Sequence, residues 1–348
     1  MLQANAESTN LDLLRSSAVA FVVVSHLPLQ SLGFAVPAGY QMGALGLEGV
    51  LIFFVHTSLV LMLSLERQRE QWGARRMVSV FLIRRIFRIY PLSICAVLVA
   101  QALWMLGIGA GFEGHLKWLA WDVLLVQNIT ATVSRPAPLW SLPFEMQMYF
   151  FLPALFLIVR SFRRAPIAIF GLWLVSMMCT FALYRLGWRY DLTKYVPCFL
   201  PGILAYALSR RALPSVPAIV LFAFVGLLAV VYPVLVAHGI RENLLGPFAC
   251  LALGLLVPMC NEVSSPALAR IGKVVAKYSY GVYLTHAWAI DIAFEYRGQT
   301  PLALRLGIFA LALCLFAFAA YHLIEAPGLR LGKRLVGSMR ARLDVTSA

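Results

Sequence analysis

Apolar runs of bilayer-crossing length recur so regularly along this chain that little room is left for any other kind of fold. They cover residues 11–31, 44–65, 89–108, 143–160, 166–185, 194–209, 215–237, 244–260, 278–295 and 302–324. About 20 apolar residues of helix cross the hydrocarbon of a membrane, and backbone groups in lipid must be satisfied within the segment. The expected fold is an all-α polytopic membrane protein, a bundle of about ten transmembrane helices. A single transmembrane domain is expected over residues 1–342, with a short cytoplasmic tail at 343–348. Hydrophobic residues make up 61% of the chain and charged residues 13%, with a mean hydropathy of +0.82. No soluble domain remains.

Basic residues orient the bundle. The connection at 66–88 carries Arg67, Arg69, Arg75, Arg76, Arg84, Arg85 and Arg88, and Lys and Arg accumulate in cytoplasmic loops. The segment HLKWLAWDVLLVQN (116–129) must then be re-entrant or interfacial, because a further crossing would put Arg160, Arg163 and Arg164 outside. With that assignment twenty of the 29 Lys and Arg lie inside and seven outside, and both termini are cytoplasmic. The net charge of +14 is thereby explained by topology, and no nucleic-acid partner is expected. Six cysteines lie in or beside apolar runs without CxxC spacing and read as small core residues rather than a disulfide framework. No metal is expected. The N-terminus lacks a basic region and a cleavage site, so the first helix is expected to be retained.

The first helix, LDLLRSSAVAFVVVSHLPL, carries Asp12, Arg15 and His26 in a run otherwise fit for lipid. Eleven helical residues turn through about 1100°, so Arg15 and His26 share a stripe roughly 16 Å apart along the axis, with Asp12 within about 40° of it. Ionisable groups inside a membrane are functional candidates by default. Arg15 lies toward the cytoplasmic end and His26 toward the outer half, and Asp12 is expected to pair with Arg15.

Other polar residues punctuate later spans. Glu48 stands near the outer end of the second, and His56 lies in its middle, where a packed polar residue and a functional one are equally plausible readings. FLIRRIFRIYP puts Arg85 and Arg88 three apart on one face. Guanidinium groups bind phosphates bidentately, although a basic run beside a span also contacts headgroups. Ser141 and Glu145 occupy the N-cap and first turn of the next helix, or else Glu145 forms a polar wall of a cavity. Tyr280, Tyr283 and His286 share a face in YSYGVYLTHAW, and His322 and Glu325 end the last span. The two histidines read most simply as interhelical hydrogen-bonders.

In combination these stretches resemble the acyltransferase-3 family of integral membrane acyltransferases. DLLRSSAVAFVVVSH resembles its Arg-ten-residues-His signature, and GVLIFFVHTS its second-helix motif. RRIFRIYP resembles its Arg-x-x-Arg element ahead of Tyr-Pro, and SLPFEMQMYFFLP, YSYGVYLTHAW and YHLIEAP its later landmarks. They occur in the family's order along nearly the whole chain. The chain departs from the family at Leu51 and at Thr57-Ser58, where relatives carry an acidic residue and Ser-Gly, and at Ala326, where they carry Arg. The fused extracytoplasmic hydrolase-like domain of many relatives is not expected here.

The resemblance implies transfer of an acyl group, usually acetyl from acetyl-CoA, to a hydroxyl of a sugar, surface polysaccharide, O-antigen or lipid-linked glycan. It implies a bacterial inner membrane and polysaccharide assembly proteins as further partners. By position His26 corresponds to the essential histidine, Arg15 to the motif arginine, and Arg85 and Arg88 to the Arg-x-x-Arg pair. Acyl-CoA, polyanionic at one end with its thioester on a thin arm, suits arginines at the cytoplasmic face and a base deeper in the bundle. His26 would act as general base or be transiently acylated, with Glu145 and Glu48 as candidates to orient the acceptor or the imidazole. A secondary transporter and a non-catalytic scaffold for glycan assembly are the competing classes. A transporter commonly shows repeat symmetry, and none is visible in this sequence.

Overall fold

A computed structural model describes residues 8–107, 116–187, 191–295 and 300–346. It is almost wholly helical, and among the described residues the only β pairing is an isolated bridge between Val216 and Cys260. Helix α1 runs Thr9–His26; Ser8 caps it by accepting a hydrogen bond from the Leu11 N–H. It stops before Pro28, with Leu27 extended at φ −66°, ψ 137°, as the residue preceding a proline prefers.

The next helix, α2, is continuous from Met42 to Met105 except at Gly73, where φ +70° and ψ 170° break it into two limbs. Its 64 residues correspond to about 96 Å of helix, long enough for two crossings with the basic turn between them. The second limb therefore begins well before residue 89, where the apolar run begins. Arginine stems can coat a helix whose charged heads stay in water, so hydropathy underestimates its length.

Two short helices follow, α3 (Leu116–Leu124) and α4 (Gln127–Thr130). Nine residues of α3 rise only about 14 Å, and left-handed residues at Leu125 and Ala131 break the segment. It does not span, in keeping with a re-entrant or interfacial segment. The Asp122 carboxylate accepts the Arg135 N–H at 3.0 Å and ties the segment to the following loop. Beyond it lie α5 (Leu142–Ser161), α6 (Ala165–Arg185), α7 (Asp191–Ser209), α8 (Ala218–Ala237), α9 (Glu242–Leu256), α10 (Pro266–Ile290), α11 (Leu302–Ala319) and α12 (Ala326–Thr346). A π-helical turn at Ala320–Glu325 joins the last two. The helical path thus continues to Thr346, into the expected tail, of which residues 347–348 lie outside the described residues, as do Arg189 and Arg297.

Among the described residues six helical stretches are long and apolar enough to cross a membrane: Met42–Met105, Ala137–Ser161, Ala165–Arg185, Ala218–Ala237, Glu242–Met259 and Leu302–Met339. The inner and outer members differ in burial. In α2 83% of the apolar window is buried, against 17% in α6 and 22% in α8. The outer helices turn Ile167, Val175, Met178, Ile219 and Val230 away from the protein, as helices apolar on all sides do when lipid covers them. Of the cysteines, Cys198 and Cys250 are buried as expected, whereas Cys179 on α6 and Cys314 on α11 are exposed.

At the centre, α1 packs between α2 and α10. Gly49 makes the approach possible: a Cβ there would stand 2.6 Å from the Ala18 carbonyl oxygen, and one at Gly46 would collide with the Ser25 hydroxyl. Small residues let membrane helices approach closely, and here they fix the height and rotation of the α1 segment ending in His26. On the other side of α2, Gly328 and Gly332 of α12 pack against Phe87 and Pro91.

Candidate active site

Three arginines separated in sequence meet at one cavity of about 80 Å³. Arg15 comes from α1 and Arg85 and Arg88 from the second limb of α2; His56, Glu145, Tyr149, Ser279, Tyr280 and Tyr283 also line it. Arg15 donates from Nε to the Ser279 hydroxyl at 2.6 Å. Arg88 is ion-paired with Glu325, which the π turn carries against α2. The Arg85 Nε is buried with no partner in the protein. Tyr149 donates to the Glu145 carboxylate at 2.8 Å, one helical turn away on α5.

Glu145 thus forms part of the cavity wall while also lying in the first turn of α5. Ser141 does not cap that helix with its side chain; its hydroxyl lies 2.8 Å from the Tyr283 hydroxyl on α10. His56 borders the cavity, and its Nδ1 is buried without a hydrogen-bond partner. Glu48 is 1% exposed, and its Oε2 has no hydrogen-bond partner. It lines neither this cavity nor a contact with His26 among the described residues. The Arg84 Nε is likewise buried and unpartnered, but Arg84 does not line the cavity.

His26 stands apart from the arginines, as the last residue of α1 and exposed. Its Nδ1 lies 2.8 Å from the Val22 carbonyl oxygen. A carbonyl can only accept, so in the neutral ring Nδ1 carries the proton and Nε2 the lone pair. Its aromatic neighbour is His286 on α10, with ring centroids 5.0 Å apart and planes at 61°. His286 is therefore not an interhelical hydrogen-bonder: its Nδ1 faces the Tyr283 carbonyl of its own helix at 2.7 Å. His322 is one, meeting the Tyr278 hydroxyl at 3.1 Å.

A path of polar side chains joins the two places. Tyr283 lines the arginine cavity, its ring centroid is 6.3 Å from that of His286, and His286 touches His26. Ser279, Tyr149 and His286 are not among the residues that the sequence nominates for the site. For Tyr149 a local cue existed in its four-residue spacing from Glu145; for Ser279, 264 residues from Arg15, none did. Among the described residues no group of His, Cys, Asp or Glu is arranged to hold a metal.

Chemically the arrangement offers a cationic chamber and, along the same helix α1, an exposed imidazole with a free lone pair. Comparison with curated proteins and with solved structures returned no match. The sequence profile described as an acyltransferase domain matches residues 8–322, nearly the whole chain and all of the residues that build the cavity and the histidine pair. The chain belongs to the acyltransferase-3 family and is an integral membrane acyltransferase.

Proposed function

We propose that the protein is an O-acyltransferase that moves an acyl group, acetyl in the simplest case, from cytoplasmic acyl-CoA to a hydroxyl of a glycan. The acceptor is a sugar of an exopolysaccharide, an O-antigen or a lipid-linked glycan at a bacterial inner membrane. The observation that carries this reading is the convergence of Arg15, Arg85 and Arg88 on one cavity, with the Arg85 Nε unpartnered and His26 further along α1. Clustered guanidinium groups suit phosphates, and CoA is a donor that combines phosphates with a thin arm long enough to reach a distant base.

The Arg75–Arg88 side is cytoplasmic by its charge, which turns the His26 end of α1 outward. Arg85 and Arg88, with Arg15, hold the phosphate end or the upper arm of the donor. A cavity of about 80 Å³ holds only a handful of waters, so the bulky nucleotide rests outside it and the arm passes inward. His26 Nε2 takes the proton of the acceptor hydroxyl as that oxygen attacks the thioester carbonyl. The C–S bond breaks, and the CoA thiolate recovers the proton from His26. General-base assistance of this kind contributes about 10²–10⁴-fold. Glu145 acts on the donor side, where it balances the arginine charges and holds Tyr149.

The test is acyl-CoA-dependent transfer in membranes carrying wild type, His26→Ala, or Arg85→Ala with Arg88→Ala, following CoA release and label in a crude glycan fraction. Both variants lose transfer, and only His26→Ala still binds the donor. Wild-type membranes that neither bind nor consume acyl-CoA with native glycan supplied would move the assignment to a transporter.

A further inference from the structure

The pairing of His26 with His286 has a consequence for how the base works. Both rings have Nδ1 turned to a backbone carbonyl, at 2.8 Å for Val22 and 2.7 Å for Tyr283. Both Nε2 atoms therefore carry lone pairs in the neutral rings. That of His286 is buried and meets no donor in the protein, and the residue is 0% exposed. A buried polar atom without a partner costs free energy, and the ring in contact with this one belongs to His26.

We infer that His286 is a positioning residue for His26, a second imidazole that holds the neutral ring edge-on and stabilises its protonated form. The inference deepens the reading of His26 as the base and rests on it. In the resting state the His286 ring stands 5.0 Å from that of His26 between centroids, and His26 keeps an exposed side from which an acceptor hydroxyl can reach it. When the hydroxyl proton arrives, His26 becomes an imidazolium whose N–H and C–H edges are all positive. The orphan lone pair of His286 then lies beside a positive ring in place of a neutral one. The charge is relieved when the proton passes to the CoA thiolate, so His286 gains and loses nothing over the cycle. Tyr283 ties this device to the donor cavity: its carbonyl fixes the His286 tautomer, and its hydroxyl meets Ser141 on the cavity wall.

The experiment uses the full chain in lipid nanodiscs, as wild type, His286→Phe and His286→Gln. Phenylalanine fills the space without an acceptor atom, and glutamine restores one. Two readouts at fixed pH are compared. Diethyl pyrocarbonate labels neutral imidazole, and its reaction at His26 is followed by peptide mass spectrometry, with the exposed His238 and His322 as internal references. The second readout is acetyl-CoA consumption with a native glycan fraction. The expected result, at about pH 6 where imidazole titrates, is kcat reduced about tenfold or more in His286→Phe with KM for acetyl-CoA unchanged, His26 labelling raised because loss of the acceptor atom favours the neutral ring, a partial return of both toward wild type in His286→Gln, and unaltered reference histidines.

Labelling and kcat equal to wild type in both variants would overturn the inference. So would kcat losses of equal size in both variants accompanied by a lower unfolding temperature, because that pattern marks a packing role alone. If wild type consumes no acetyl-CoA, the transferase reading fails, whereas the labelling result still decides whether His286 governs His26.

Discussion

The Arg88–Glu325 ion pair shows how a single residue can serve both the site and the fold. The Glu325 side chain is fully buried and that of Arg88 is 19% exposed, so removal of one partner strands a charge among apolar helices. Such losses cost about 3–5 kcal/mol, whereas replacing both members by apolar residues is often neutral. Arg88→Ala is accordingly expected to lower the unfolding temperature in detergent sharply, and Arg88→Met with Glu325→Met to recover most of it. The double variant should still fail to bind acyl-CoA. Recovery of both stability and donor binding would remove Arg88 from the donor site and leave it a purely structural residue. Arg85 contrasts with it: its Nε has no protein partner, so Arg85→Ala should weaken the donor with little effect on folding.

For the helices, the decisive contact is the close approach of α1 to α2. Gly49 faces the Ala18 carbonyl and Val22, and Gly46 faces Ser25, the residue before His26. Gly49→Ala adds one methyl where no space exists, and overpacking of this kind costs about 1–3 kcal/mol. The expected outcome is a lower unfolding temperature together with reduced transfer, because α1, held between α2 and α10, can yield only by altering the contact of His26 with His286. Thermal unfolding and His26 labelling measured on the same preparation check the coupling. A destabilised variant with unchanged His26 reactivity would show that α1 height does not set the pair. Two other elements act by breaking regularity. Gly73 divides α2 so that Arg85 and Arg88 sit on a limb of their own, and the π turn at Ala320–Glu325 directs Glu325 toward them. Extra-residue turns of this kind are common at functional sites.

Across the whole molecule, burial grades from the polar centre to the apolar exterior. The α1, α2 and α10 contacts surround the arginines and bury His56 and His286, while α6, α8 and α11 present Met178, Val230, Leu311 and Phe318 outward. Charge gives this bundle its direction, and the direction is testable. On intact cells a membrane-impermeant maleimide should label Arg241→Cys and leave Arg75→Cys at the wild-type background, with labelling at residue 75 appearing once the membrane is opened. The reverse pattern would place the arginine cavity on the outer side and remove cytoplasmic acyl-CoA as donor.

Much of this architecture is local and was therefore readable from the chain alone. Spanning length, the Arg15-to-His26 stripe, the Arg85–Arg88 face and the short α3 segment depend on hydropathy and the 3.6-residue repeat, which act over a few turns. The family landmarks lie in the same short windows. What depended on tertiary structure was which of these faces meet. Arg15 finds Ser279, Arg88 finds Glu325 and His26 finds His286 only because helix rotation is set by glycine contacts at positions 46 and 49. The break at Gly73 and the π turn before Ala326 contribute in the same way. Side chains hundreds of residues apart leave no trace in each other's neighbourhood, so composition and periodicity could nominate the site residues. Only packing could decide that the three arginines share a chamber and that His26 has a second imidazole beside it.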